Sequence, residues 1–127
     1  MMQVLNRGTG LLIIEVPNAG CLGAALFGKA WSGLELPRHL SHFAPETLTR
    51  AVQEAGGRVE WCWHGAKPRY YLWSLGFWLR DRGRPGLARV AEWRPVYGVL
   101  KLFLEVTLPL ARLARRGEVI RIGISAA

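Results

Sequence analysis

Hydrophobic and polar positions follow distinct rhythms along the chain, and each rhythm predicts an element. Leu11 to Val16 reads Leu-Leu-Ile-Ile-Glu-Val. A short, β-branched and nearly continuous apolar run suits a strand covered on both faces. Pro17-Asn18-Ala19-Gly20 ends it. Leu22 to Trp31 is rich in alanine and leucine and predicts a helix, weakened by Gly23 and Gly28. Ser32 to Phe43 has no period and carries Pro37. From Pro45 the pattern becomes helical, because Leu48, Ala51, Val52 and Ala55 recur at i, i+3, i+4 and i+7. Proline suits the first helical position and Gly56-Gly57 suits the end.

Arg58 to His64 alternates, with Val59, Trp61 and Trp63 predicted on one side and Arg58, Glu60, Cys62 and His64 on the other. Tyr70 to Leu79 predicts an aromatic helix, Arg80 to Pro85 a charged loop, and Pro95 to Arg116 a long helix kinked or ended near Pro109. Glu118 to Ser125 closes the chain as a strand with Ile120, Ile122 and Ile124 on one face. The order is strand, helix, strand, two helices, strand. It predicts a single α/β domain over residues 1–127 built on three strands.

Composition narrows the picture. The 127 residues are 50% hydrophobic and 20% charged, which is a globular balance, and six tryptophans promise an aromatic core. The formal net charge of +8 suits a phosphorylated, nucleic-acid or anionic-lipid partner, and a solvated basic surface is the plainer reading. No nucleic-acid-binding motif accompanies the charge, so nucleic acid is not the expected partner. Cys21 and Cys62 form no C-x-x-C pair, which argues against a metal site and for reduced thiols in the cytoplasm. No charged leader with a long apolar stretch opens the chain. Val96 to Ala114 is apolar, but Lys101, Glu105 and Arg112 interrupt it, so a buried or interfacial helix is expected, not a span.

Single motifs are weak. Gly8-Thr9-Gly10 precedes a strand, whereas a phosphate loop follows one, so it reads as a turn. Gly20-Cys21-Leu22-Gly23 does follow a strand but lacks the full glycine pattern. His39 and His42, at i and i+3, could share a metal if a carboxylate joined them, but no H-E-x-x-H appears and Pro37 argues against a regular helix, so a polar role is the expected one for them and for His64. Cys62, beside two tryptophans, reads as a small packing residue.

Taken together, several pieces carry more. A glycine turn (Gly8 to Gly10) precedes an apolar strand ending in Pro17-Asn18. Trp31-Ser32-Gly33-Leu34 follows, then Pro37-Arg38-His39, Phe43, Glu46-Thr47-Leu48 and Ala55-Gly56. The combination resembles class I S-adenosylmethionine-dependent methyltransferases of the small-molecule-modifying kind. The match is good from about Leu5 to His64, roughly half the chain, and beyond that only the last strand fits. The family usually has Ser or Thr where this chain has Ala44, which costs an N-cap of ~1 kcal/mol.

The resemblance implies a partial Rossmann-like fold. The three strands would be the fifth, sixth and seventh of the family's sheet, in a mixed layer ordered 5-7-6. Residues 70–117 would be a variable helical insertion. The family's glycine-rich loop and ribose-binding acid would lie upstream of Met1. The chain is therefore expected to bind no S-adenosylmethionine alone and to be inactive alone. Arg38, His39 and Trp31 would lie near a small-molecule acceptor, Arg38 pairing with its carboxylate or phosphate and His39 orienting it or acting as a base. The Leu11–Val16 edge would lack its fourth-strand neighbour, so a homodimer through that edge is expected, or pairing with another segment such as Met1 to Leu5. A non-catalytic binding module and a peripheral membrane protein are the alternative readings, the latter resting on the apolar helix with arginines at both flanks.

Overall fold

The computed structural model describes residues 10–35, 37 and 39–126, with Arg112 described by its backbone alone. Gly8, Thr9 and Arg38 lie outside the described residues. Three strands, β1 (Leu12–Pro17), β2 (Gly57–Gly65) and β3 (Val119–Ala126), form one sheet in the order β1-β3-β2. The helices are α1 (Leu22–Phe27), α2 (Pro45–Glu54), α3 (Pro68–Asp81), α4 (Pro85–Glu92) and α5 (Arg94–Leu113). The architecture is α/β, as the patterning predicts. The expected mixed sheet is corrected to an antiparallel one. β1 and β2 run the same way but never touch, because β3 lies between them in the opposite direction.

The alternating isoleucines of β3 make the core. Ile120, Ile122 and Ile124 are 1% exposed or less, and Leu48 and Val52 of α2 pack over them. Each such side chain contributes roughly 1.5–3 kcal/mol by leaving water. Leu12, Ile14, Val16 and Val59 complete the layer from the flanking strands. Ala44 gives α2 no side-chain cap, but Thr47 Oγ1 reaches back and accepts the Ala44 N–H at 2.9 Å. Ala55 is exposed beyond the last turn of α2, not packed on the sheet.

A bulge overturns the predicted facing of β2. The register slips between Val59 and Trp61, so Trp61 pairs with Gly123, Cys62 with Ile122 and His64 with Ile120. Cys62 and His64 therefore share the α2 side with Val59. Trp61 and Trp63 turn to the opposite face, where they are each 38% exposed. Strict alternation predicted the reverse, and one extra residue in a strand is enough to invert it. The opposite face carries two cross-strand rows, Ile13–Gly123–Trp61 and Glu15–Arg121–Trp63. Trp61 lies so close over Gly123 that a Cβ there would fall 2.3 Å from the indole nitrogen. Glu15 accepts hydrogen bonds from Lys67 and Arg121, which hold its carboxyl below the usual range.

The helical part departs from the prediction at its joints. The expected Leu22–Trp31 helix is broken into α1 and two 3-10 turns, Gly28–Ala30 and Ser32–Leu34, because Gly28 takes φ 54°. The expected Arg80–Pro85 loop shrinks to Arg82–Arg84, and α4 follows it with Pro85 at its first position. α5 runs unbroken through Pro109. α3 is the hub and packs against α1, both 3-10 turns, α4 and α5. No helix among the described residues is long and apolar enough to cross a membrane.

Candidate functional site

The strand order brings the carboxyl ends of β1 and β2 together with the amino end of β3. In open α/β sheets, ligands bind outside the carboxyl ends of the strands. Asn18 fixes this end. Its Nδ2 donates to the Gly117 carbonyl at 2.8 Å, its Oδ1 accepts the Gly20 N–H at 2.9 Å, and its own N–H donates to the Glu118 carbonyl at 2.8 Å. The Pro17-Asn18 strand ending thus has a mechanical role, since one buried amide ties β1 to the start of β3.

Behind Asn18 sits a buried polar group of Cys21, Tyr71 and Glu118. Glu118 Oε2 accepts the Lys67 N–H at 3.1 Å. Burial raises the Glu118 carboxyl above the ordinary glutamate value, while the Tyr71 hydroxyl and the Lys67 N–H pull it part of the way back. Tyr71 Oη and Glu118 Oε1 are close enough to perturb each other's titration, yet neither completes a well-angled hydrogen bond among the described residues. Burial also pushes the Cys21 thiol up to about 11, and its Sγ accepts the Ala24 N–H at 3.2 Å as the cap of α1. A protonated thiol holding a helix end is a structural cysteine, not a nucleophile.

Two clefts bear on the candidate site. The first, of about 450 Å³, lies between the 3-10 turns and α3 and is lined by Trp31, Leu34, Glu35, Trp73, Phe77 and Lys29. Trp31 forms its floor, being 2% exposed. Its indole rests on Gly33, where a Cβ would fall 2.2 Å from the ring. The turn is pinned to α3 by Ser74 Oγ, which accepts the Ser32 N–H at 2.9 Å, and by Ser32 Oγ, which donates to the Tyr70 carbonyl at 3.0 Å. His39 stands beside this cleft, with Nε2 3.3 Å from Glu35 Oε2. His42 Nε2 meets the Leu34 carbonyl at 2.9 Å and braces the same loop. Of the residues expected near an acceptor, Trp31 and His39 thus share one loop, and Arg38 lies outside the described residues.

The second cleft is larger, about 910 Å³, and basic. Arg50 of α2, His64 and Cys62 of β2, and Arg115 and Arg116 after α5 line it, with Glu46 the one acid. Burial first, and then the charge of Arg115, hold the His64 imidazole below the usual histidine range. Both effects favour the neutral imidazole, which keeps an acceptor nitrogen. Cys62 Sγ lies 3.7 Å from His64 Nε2, but burial raises that thiol as well, so it is not a ready thiolate.

Backbone strain marks both clefts. Glu35 (φ 39°) and Arg115 (φ 57°) are the non-glycine residues at positive φ among the described residues, and each lines one cleft. Arg115 occupies the position after a helix end where glycine is usual, and the Arg116 N–H closes on the Ala111 carbonyl at 2.8 Å. Sequence reasoning missed this basic cleft because its arginines come from two separated stretches, Arg50 and Arg115-Arg116, with His64 from a third. The signal available was the Arg115-Arg116 pair at the predicted end of the long helix. Among the described residues no group of three or more His, Cys, Asp or Glu could hold a metal ion. No family model, curated protein or solved structure matches the chain.

Proposed function

We propose that this chain forms the acceptor-side layer of a class I S-adenosylmethionine-dependent methyltransferase. One observation carries the reading. An antiparallel strand, β3, stands between two strands that run the same way, and β1 has no second neighbour among the described residues. The order is compatible with the 5-7-6 order that the sequence resemblance implies, although the sheet is antiparallel where a mixed one was expected. α2, packed on one face between β1 and β2 in the chain, stands where the crossover helix would. The basic cleft lies at the carboxyl end of β2, where an acceptor would sit.

The described residues do not fit the donor. The segment Gly20-Cys21-Leu22-Gly23 follows β1, but it opens a helix of six residues capped by the Cys21 thiol. Trp31 fills the space above Gly23, where a Cβ would fall 3.3 Å from its indole nitrogen. No step at the donor is therefore assigned to this chain. Its own residues bind and orient. Arg50, Arg115 and Arg116 suit an anionic group on the acceptor. Trp31, Trp73 and Phe77 suit an apolar or ring-bearing part, and His39 would orient it. Methyl transfer is an in-line displacement that depends mostly on positioning, which is the contribution this layer would make.

The test is a chimera that places the donor-binding half of a class I methyltransferase directly before Leu11. The chimera should fold cooperatively and bind S-adenosylmethionine at one site by calorimetry, while the chain alone binds none. A chain that binds the donor by itself, or a chimera that never folds, contradicts the reading.

A further inference from the structure

The outward face of α5 is apolar from end to end. Val99, Leu102, Phe103, Val106, Leu110 and Leu113 are each at least 63% exposed. At 3.6 residues per turn they fall within an arc of about 100°. The inward side is different: Leu108 is 5% exposed and Leu104 is half-buried. Lys101 and Glu105 form an ion pair on a third side. α4 packs against α5 and adds Leu87, Val90 and Trp93, which are 52–63% exposed. Single exposed apolar residues are ordinary, but a continuous stripe the length of a 20-residue helix is not.

Charge says what covers the stripe. The segment from Arg82 to Arg116 holds eight Lys or Arg against two Asp or Glu, so it carries +6 of the chain's net +8. Glu92 and Glu105 are both engaged in ion pairs, with Arg80 and Lys101. Arg89 and Arg94 stand at one end of α5 and Arg115 and Arg116 at the other, all exposed. An apolar stripe with cationic ends is complementary to an anionic bilayer surface, which offers hydrocarbon below a negative headgroup layer. Trp93, at the junction of the two helices, suits the headgroup level. A helix of about 30 Å lying in the plane would sink its stripe ~5–10 Å into that boundary.

We propose that α5, with the exposed residues of α4, docks this protein on anionic lipid membranes. The proposal stands on α4 and α5 and does not depend on the methyltransferase reading. Co-sedimentation with phosphatidylcholine vesicles, with and without phosphatidylglycerol, tests it without any methyl donor. Binding should require phosphatidylglycerol, weaken as salt rises, and fall at least about tenfold in the double variant Leu102→Glu, Val106→Glu. Both positions are exposed, so the variant should melt as the parent does, and the melt is measured alongside. A Leu110→Cys variant in a Cys62→Ser background, carrying a polarity-sensitive dye, should shift to the blue on anionic vesicles only. No binding to anionic vesicles overturns the proposal. Binding that the double variant leaves unchanged also overturns it, because the contact would then be charge alone. A dimer that the same variant converts to a monomer overturns it in favour of a second copy covering the stripe.

Discussion

Arg115 and His64 line one cleft, and the arginine's charge adds to burial in lowering the imidazole pKa. Arg115 does this from a left-handed backbone position that glycine would occupy without strain. Arg115→Gly should therefore stabilise the fold by about 1 kcal/mol, read as a raised denaturation midpoint. In the same variant the His64 pKa should rise toward the ordinary histidine value, read by NMR titration. A variant that loses stability would show that the guanidinium serves packing and not the cleft.

Glu118 predicts a pH dependence. Its folded-state pKa is raised, by burial first, so the native chain holds the proton more tightly than the unfolded chain. That contribution is fully present below the unfolded pKa and is lost as pH rises through the folded one. Stability should fall as pH rises from the ordinary glutamate range, and Glu118→Gln, which stays neutral, should flatten the fall. Urea denaturation across that range checks it. Equal slopes in parent and variant would remove Glu118 from the account.

Leu48 is 5% exposed under the β3 isoleucines. Leu48→Ala should cost ~2–5 kcal/mol. An unchanged denaturation midpoint would mean that α2 does not cover the sheet.

What the sequence made legible follows from which signals are local. The isoleucine alternation of β3 and the i, i+3, i+4 spacing of α2 are local, so both elements were readable, with the β3 face and, on α2, Leu48 and Val52, while Ala51 and Ala55 of the predicted face are exposed. The facing of Trp61 and Trp63 was not, because a bulge depends on pairing with β3 and leaves no mark in the pattern of β2. α4 was hidden because Arg-Gly-Arg-Pro-Gly reads as a loop, although Pro85 starts a helix. At the candidate site, the resemblance named Trp31 and His39 but not Glu118 and Tyr71, since only tertiary packing buries an acid beside a tyrosine. The basic cleft escaped for the same reason.

The outer edge of β1 predicts association. Among the described residues that edge has no strand partner, and it lies beside an apolar groove of about 290 Å³ lined by Leu12, Ile14, Val16, Phe43, Leu48 and Val52. At high concentration the isolated chain should form dimers through this edge. Ile13 is 56% exposed, so Ile13→Lys should weaken the dimer without unfolding the chain. Sedimentation of parent and variant decides. A parent that stays monomeric at every concentration would contradict the edge pairing.

Amide hydrogen exchange along β1 tests the central claim most directly, comparing the isolated chain at low concentration with the chimera described above. If β1 is the fifth strand of a methyltransferase sheet, its outward amides between Leu12 and Val16 should exchange rapidly in the isolated chain. They should become protected when a donor-binding half supplies the fourth strand. The same amides protected to the same degree in the isolated monomer, or unprotected in a folded chimera, would contradict it.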